Sequence, residues 1–326
     1  MPPGETRDTE PIGPITAIVT AYHPDERLAQ VVESALVGCA LVIVADNTPA
    51  ESASSAEKLD HPNVRVLRSG HNLGLAAALN LGLRVVPAEC GAVLFLDQDS
   101  VLPPDLVPGL AKHLEDPTIG VVGPAPIDAE KGGQYETLSV LHGDVSDRYS
   151  VITSGMLVRR SCFQAVPGFR EDFFVDCVDI DFCLRLRRAG VRIVRDKNLV
   201  LPHSIGDGRD HRVLFVPVRV LHYAAWRHYW VARNGMVLTR EHGRALPGFA
   251  LINALFMARW LAATAVFEPE RRTHVRAILR GLRDGLTGRT DLSYLPRGAE
   301  YHGAEYHGAG GHAADQSTAN HRAGAD

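Results

Sequence analysis

The sequence lacks the features that mark three common classes of protein. It has no excess of positive charge, since 34 Lys and Arg against 38 Asp and Glu give a net charge of −4, so nothing favours binding to nucleic acid. Its five cysteines are odd in number and form no Cys-x-x-Cys pair, so we expect reduced core thiols of a cytoplasmic protein. The N-terminus lacks the basic-then-apolar order of a signal peptide, and residues 1–12 are expected to form a disordered leader.

The 326-residue chain is instead rich in apolar residues, at 45% of the total, enough for one large or two smaller cores. Apolar runs alternate with helical periodicity along its first hundred residues. Strands are predicted at 15–20, 40–44, 64–67 and 93–96, with helices at 27–37 and 75–85. This alternation predicts an α/β fold with a mostly parallel central sheet and flanking helices.

Residues 92–99 form the most informative local pattern. Val93 to Leu96 are apolar, as in a strand buried on both faces, and Asp97 and Asp99 follow where that strand surfaces. Ligands bind beyond the carboxyl ends of such strands, and two carboxylates spaced by two point the same way. Their hard oxygens suit Mg²⁺ or Mn²⁺. The alternative is an ordinary turn, because a serine and two prolines follow.

Polar residues also fall at the ends of the other predicted strands. Asp46 can accept a hydrogen bond from the imide N–H of a pyrimidine base, and Asn47 offers both a donor and an acceptor. A turn closed by an Asx hydrogen bond explains the same two residues as well. We expect one crevice to be lined by Tyr22, Asp46, Asn72 and Asp97 to Asp99.

A second group of acids lies further along the chain. Asp176, Asp179 and Asp181 fall within six residues, just before Phe182 and Leu186, which share one face of a predicted helix. Asp176 is a good N-cap, and the helix dipole favours acids in a first turn. Capping explains one or two of these acids but does not readily explain all three.

The ordered set of motifs resembles the inverting nucleotide-sugar transferases of glycosyltransferase family 2, which have the GT-A fold. The resemblance covers residues 15–240 and rests on Thr20-Ala21-Tyr22, Asp46-Asn47, Asn72-Leu73-Gly74 and Asp97-Gln98-Asp99. The Asp-x-Val-Asp form at 176–179, with Phe-Cys-x-Arg following, is similar to the rhamnosyltransferase branch.

The resemblance implies which residues bind the donor and the metal. The nucleotide sugar would be bound by Thr20, Tyr22, Asp46, Asn47, Asn72, Gly74, Asp97, Gln98 and Arg233. The metal ligands would be Asp97, Asp99 and His203. A lone histidine is more often structural, and Arg233 is equally explained as a buried ion-pair partner.

The resemblance also implies a general base. Aligning the second acid group with the family makes Asp179 the base and puts Val178 where many relatives have Glu. Asp176 remains a rival for the same role. The two acids are therefore both candidate catalytic residues.

The C-terminal part begins with the longest apolar segment, Leu246 to Phe267, which is near the length of a membrane span. Arg259 at its centre makes spanning costly, so we expect the helix to lie on a membrane or pack on the catalytic domain. The arginine-rich helix after it either touches anionic lipid or forms a solvated face. The expected domains are a catalytic domain at 13–240, a helical segment at 241–296 and a disordered tail at 297–326.

The predicted function is transfer of a sugar to a saccharide or lipid-linked acceptor in cell-surface polysaccharide synthesis. The resemblance implies that the sugar is rhamnose and that the donor is dTDP-rhamnose. The expected location is the cytoplasm, at the inner face of the membrane if the C-terminal helices attach there. Two alternatives stand beside it: a sugar nucleotidyltransferase, which would release pyrophosphate, and a non-catalytic sugar-nucleotide-binding module. No oligomeric state is predicted.

Overall fold

The computed structural model of the chain describes residues 12–128, 143–203, 208–213, 216–221, 223–301 and 303. The strands are β1 Ile15–Ala21, β2 Leu41–Pro49, β3 Val64–Gly70, β4 Ala92–Asp97, β5 Ile119–Asp128, β6 Val145–Asp147, β7 Met156–Arg159, β8 Arg192–His203, β9 Gly208–Val213 and β10 Val216–Leu221. The helices are α1 Arg27–Leu36, α2 Leu75–Leu83, α3 Leu106–His113, α4 Cys162–Ala165, α5 Val178–Arg188, α6 Ala225–His242, α7 Pro247–Phe267 and α8 Arg271–Thr287. Short 3₁₀ helices lie at Ser55–Lys58 and Leu292–Tyr294.

Eight strands form one mixed sheet in the order β3-β2-β1-β4-β7-β5-β8-β6, and β9 and β10 form a separate hairpin. The first four strands are parallel to one another, β7 runs antiparallel to both of its neighbours, and β8 is parallel to β5. The parallel half is the part predicted from the sequence. Its register pairs Thr20 with Asp97 and Ala21 with Asp46, so the polar ends of three strands lie side by side.

The sheet has apolar residues on both faces, as the continuous runs in β1 and β4 predict. Ile18 and Phe95 face one core, beneath α2, α5 and α6. Val19 and Leu96 face the other core, beneath α1 and α3. Because alternate side chains of a strand point to opposite faces, one buried strand anchors both layers of helices.

The C-terminal helices pack on the catalytic part through α6. A Cβ atom at Gly281 or Gly285 of α8 would collide with the carbonyl oxygens of Tyr229 and Arg233, so these glycines let α8 approach α6 closely. Tyr229 and Trp230 of α6 are fully buried. The predicted domain boundary at residue 240 falls inside α6.

The region predicted as a disordered tail begins within the fold. The backbone N–H of Glu300 donates to the carbonyl oxygen of Asn72 at 2.9 Å, and Tyr301 packs on Trp230 with ring centroids 5.7 Å apart. The prediction is therefore corrected for residues 297–301, which gain backbone pairing and aromatic contact. Residue 302 and residues 304–326 lie outside the described part of the chain, as do leader residues 1–11.

Candidate functional site

One cavity lies at the carboxyl ends of β1, β2 and β4 and encloses about 510 Å³. It is called the crevice pocket below. Its walls include eight of the residues predicted to form a site: Thr20, Tyr22, Asn47, Asn72, Gly74, Asp97, Gln98 and Asp99. Phe174, Trp226 and Arg227 are among the wall residues that come from the second half of the chain. Another cavity of about 440 Å³, beside Leu83 and Phe163, contains none of the predicted site residues.

The end of β1 is tied to the Asp97-Gln98-Asp99 turn by a reciprocal amide contact. The backbone N–H of Tyr22 donates to Gln98 Oε1 at 2.7 Å, and Gln98 Nε2 donates to the carbonyl oxygen of Tyr22 at 3.2 Å. The Gln98 side chain therefore satisfies backbone groups that have left the sheet. Because these contacts fix the turn that contains Gln98, they also orient the two carboxylates on either side of it.

The end of β2 is tied to the start of α2 through Asn47. Its Nδ2 donates to the carbonyl oxygen of Gly74 at 2.9 Å, and its Oδ1 accepts from the backbone N–H of Leu73 at 3.3 Å. Gly74 has a φ of +83°, and a Cβ there would collide with Phe174. Glycine is required at this position because the backbone is left-handed and tightly packed.

Asp46 does not line the crevice pocket, which corrects the prediction that it meets a base. It is fully buried, accepts from the backbone N–H of Thr48 at 2.9 Å, and lies 3.4 Å from Arg68 Nε. The contact with Thr48 is an Asx turn, which was the alternative to base binding for Asp46. Of the two neighbours, Asn47 faces the cavity and Asp46 faces inward.

Arg233 is also turned away from the crevice pocket. It is 4% exposed, and Nη1 donates to the carbonyl oxygen of Asp172 at 2.9 Å while Nη2 lies 3.4 Å from Asp172 Oδ2. Nη2 also donates to Thr290 Oγ1 at 3.0 Å. The ion-pair alternative describes its position, and a direct contact with a donor phosphate is not supported.

The arginine that lines the crevice pocket is Arg227, which the sequence analysis did not single out. Its Nε and Nη2 donate to the two carboxylate oxygens of Asp176 at 2.9 and 2.8 Å, and its guanidinium lies 4.1 Å from the ring centre of Tyr223. This ion pair raises the pKa of Arg227 despite the opposing effect of burial. Its position beside Tyr223, in a segment rich in aromatic residues, is the sequence feature from which Arg227 could have been predicted.

Asp176 does not cap α5, which corrects the capping alternative. Cys177 takes the N-cap position without a side-chain capping bond. Asp176 and Cys177 have φ values of +58° and +61°, and Asn234 Nδ2 donates to the carbonyl oxygen of Asp176 at 3.0 Å. The strained turn is therefore held by two contacts: the buried side-chain amide of Asn234 bonds its backbone, and Arg227 bonds the side chain of Asp176.

Asp179 is half-buried in the first turn of α5. Burial raises its pKa to about 6, the charges of Asp176 and Asp97 add to the rise, and the hydrogen bond from the Ile180 N–H opposes it. A carboxylate with a pKa near 6 is still ionised at pH 7 yet is a stronger base than a solvated aspartate. Such a group is suited to accepting a proton.

A buried ion network holds the segment that leads to Asp179. Arg170 forms a bidentate pair with Asp172 at 2.9 Å for both contacts, and Arg185 donates to Asp181 Oδ2 at 2.6 Å. Arg170 also lies 3.5 Å from Asp181. Removing one member would leave a buried charge uncompensated, so this network fixes where α5 begins.

Asp97 and Asp99 are half-buried carboxylates on one wall of the crevice pocket. Their oxygens, spaced by two residues at a strand end, fit Mg²⁺ or Mn²⁺ by ligand chemistry. Among the residues that the structure describes, no group of three or more His, Cys, Asp or Glu is close enough to hold a metal by itself. β8 ends at His203, the predicted third ligand, whose side chain lies outside the described part.

The chain is similar in sequence to known glycosyltransferases. Residues 16–170 match the family described as Glycosyl transferase family 2. The chain is 28% identical over 294 residues to the dTDP-rhamnosyl transferase RfbF of Shigella flexneri, covering 84% of this chain and 97% of RfbF. It is 27% identical over 282 residues to the N-acetylglucosaminyl-diphospho-decaprenol L-rhamnosyltransferase of Mycobacterium tuberculosis, covering 70% and 92% of the two chains.

A solved structure extends the similarity to the fold. The mannosyltransferase PcManGT from Pyrobaculum calidifontis, in complex with GDP-Man and Mn²⁺, superposes with a TM-score of 0.56 at 18% identity, over 87% of this chain and 90% of that one. At that identity the likeness concerns the fold alone, and it confirms the predicted GT-A architecture. The family match over residues 16–170 and the two sequence relatives support a family 2 glycosyltransferase of the rhamnosyltransferase branch.

Proposed function

We propose that this glycosyltransferase moves rhamnose from dTDP-rhamnose to a hydroxyl of a saccharide acceptor, with inversion at the anomeric carbon. The name of the relative RfbF supports the donor. The observation that carries the proposal is the crevice pocket itself, in which Asp97 and Asp99 line one wall. Asp179 is not one of the wall residues, but its pKa is raised by burial and, to a smaller extent, by the charge of Asp97.

The chemistry is a single displacement. The acceptor hydroxyl attacks the anomeric carbon from the face opposite the diphosphate, and the bond from that carbon to the diphosphate oxygen breaks. The sugar passes through an oxocarbenium-like state, and the nucleoside diphosphate leaves. Asp179 accepts the hydroxyl proton at a carboxylate oxygen.

The surroundings of the two candidate bases favour Asp179. Both oxygens of Asp176 accept charge-assisted hydrogen bonds from Arg227, so the acceptor sites of this carboxylate are already occupied. Asp179 accepts only a backbone N–H among the hydrogen bonds described for it. We therefore assign Asp179 as the general base. Asp176 is assigned the role of holding Arg227 in position.

Asp97 and Asp99, with the predicted third ligand His203, are the residues that would hold a divalent cation beside the donor diphosphate. When bound, the cation would supply Lewis-acid neutralisation of the leaving group. Arg227 faces the same pocket, where its guanidinium is held in place by the ion pair with Asp176.

We further propose that the C-terminal helices attach the enzyme to an anionic membrane surface, where a lipid-linked acceptor would be presented. Among the described residues, one helix, α7, is long and apolar enough to cross a membrane. Its inner face packs on α6, where Asn253 Nδ2 donates to the carbonyl oxygen of Gly235 at 2.8 Å. Leu251 and Leu255 on the outer face are each 62% exposed.

Positive charge flanks that exposed apolar face. Arg271, Arg272 and Arg276 at the start of α8 are exposed, directly after the end of α7. An apolar helix face bordered by arginines matches the chemistry of a bilayer that carries anionic headgroups. Attachment lengthwise on the surface also avoids burying Arg259 in hydrocarbon.

The test of function is a donor screen. The purified chain is incubated with sugar nucleotides, a divalent metal and saccharide acceptors, and the released nucleotide is identified. We expect dTDP to be released from dTDP-rhamnose, at a rate that rises with the concentration of acceptor. Release of pyrophosphate in a parallel incubation with a nucleoside triphosphate and a sugar 1-phosphate would indicate a nucleotidyltransferase, and binding without turnover would indicate a non-catalytic module. Either result would contradict the proposal.

A further inference from the structure

A short segment near the C-terminus, residues 294–301, runs along the edge of the crevice pocket and is called the strap below. Pro296 of the strap lines the pocket directly. The strap therefore contributes to a cavity whose other walls come from residues 20–99, 174–175 and 223–227. The role of this contribution follows from how the strap is anchored.

Both ends of the strap are held by the aromatic residues of α6. The Tyr294 ring stacks on Tyr229 with centroids 4.4 Å apart, and Trp230 Nε1 donates to the carbonyl oxygen of Tyr294 at 3.0 Å. At the other end, the Tyr301 ring packs on Trp230, and its hydroxyl donates to the carbonyl oxygen of Asp172 at 3.3 Å. The strap is thus part of the fold and not a free tail.

The middle of the strap holds the turn before α2. Ala299 pairs with Asn72 in a parallel bridge, and the Glu300 N–H donates to the Asn72 carbonyl oxygen at 2.9 Å. Glu300 also forms an exposed ion pair with His71 at 2.9 Å. Asn72 Oδ1 in turn accepts from the Gly74 N–H at 3.1 Å. The strap therefore fixes two pocket residues, Asn72 and Gly74.

These contacts lie on the β2–β3 side of the pocket, away from the Asp97 and Asp99 wall. If the two carboxylates take the diphosphate end of the donor, the nucleoside end lies against Asn47, Asn72 and Pro296. We propose that the strap is a specificity-determining wall for the nucleoside of the donor, acting by direct contact at Pro296 and by positioning Asn72. This inference rests on the proposed function.

Two truncations test it. Chain 1–295 lacks the strap beyond Leu295, and its matched control, chain 1–303, keeps the strap and lacks only the residues after Gly303. By calorimetry with dTDP, we expect 1–295 to bind about tenfold more weakly or worse and 1–303 to bind like the full chain. The KM for the donor should rise in 1–295 by a similar factor, with a much smaller change in kcat.

A pair of point variants covers the case in which 1–295 does not fold. Glu300→Pro removes the N–H that donates to Asn72 and leaves Tyr301 in the chain. Glu300→Ala keeps that N–H and removes the side chain that pairs with His71. We expect Glu300→Pro, and not Glu300→Ala, to weaken dTDP binding and to speed hydrogen exchange of the amides at 71–75 in the absence of any ligand.

The outcomes separate the two proposals. Unchanged dTDP affinity in 1–295, or in Glu300→Pro if the truncated chain does not fold, overturns the strap inference and leaves the glycosyltransferase function standing. A full chain that binds none of dTDP, UDP and GDP contradicts the proposed function and the nucleoside role of the strap together. Equal loss of affinity in 1–295 and 1–303 would also overturn the inference, because the residues after 303 would then carry the effect.

Discussion

The guanidinium of Arg227 forms a bidentate ion pair with Asp176, with Nε–Oδ2 and Nη2–Oδ1 distances of 2.9 and 2.8 Å. This pair separates the chemistry of two acids three residues apart. Both carboxylate oxygens of Asp176 are bonded to a cationic partner, whereas Asp179, among the contacts described for it, lacks a bond to Arg227 and burial raises its pKa. The assignments below follow from that difference.

The first prediction concerns the base. Asp179→Asn should lower kcat on the order of a hundredfold or more, the usual scale for a positioned base, with donor affinity little changed. Asp176→Asn should lower kcat much less and reduce stability by about 1 kcal/mol, because a partly exposed ion pair is lost. Steady-state kinetics and thermal melting measure both. A stable, inactive Asp176→Asn beside an active Asp179→Asn would reverse the assignment.

The second prediction concerns pH. Because the pKa of Asp179 is about 6, kcat/KM should be flat above pH 7 and fall about tenfold per pH unit below the pKa. Asp176→Asn should move this acid limb to lower pH, because the negative charge of Asp176 helps to raise the pKa. A limb that stays in place would show that Asp179 is not the titrating group.

The third prediction concerns stability. The pKa of Asp179 is higher in the folded chain than its ordinary value of 3.8, so folding favours the protonated carboxyl, and this contribution is lost as pH rises towards 6. Asp179→Asn should therefore be more stable than the wild type at pH 8, by about 1–2 kcal/mol after allowing for partial exposure. The gain should be smaller at pH 5. Denaturant melts at both pH values test this, and a destabilised variant at pH 8 would contradict it.

The fourth prediction concerns the metal. Asp99→Ala should abolish turnover and metal-dependent donor binding while the melting temperature stays near that of the wild type, because Asp99 lies at a strand end outside the core. Asp105→Ala removes an exposed acid six residues away and should behave as the wild type. Full activity in excess EDTA would rule out the metal role.

The fifth prediction concerns the membrane. The chain should float with vesicles that contain anionic phospholipid, and added salt should weaken the association. Leu255→Glu should reduce flotation, whereas Val37→Glu, which changes a 73% exposed residue far along the chain from α7, should not. Absence of flotation at low salt would remove the idea. Conversion of a dimer to a monomer by Leu255→Glu would show instead that the face joins two copies of the chain.

Local sequence patterns were sufficient for the parallel half of the sheet. The apolar run 93–96 was predicted to be a buried strand and lies within β4, because an apolar run that ends in charge is recognisable over a few residues. The predicted helices 27–37 and 75–85 correspond to α1 and α2, whose buried residues recur with helical spacing. The antiparallel direction of β7 was not predicted, since strand direction depends on the path of the chain between strands.

The sequence by itself determined which polar residues follow the strands and therefore which end of the sheet holds the crevice pocket. Only the tertiary structure decided which of them face it. Asp46 is buried beside Arg68, and Arg233 pairs with Asp172. Arg227 is the arginine that lines the pocket. These choices depend on partners between 22 and 61 residues apart, such as Arg233 and Asp172 with a separation of 61. Buried charges must find partners in space, and neither periodicity nor local propensity records which distant residue that will be.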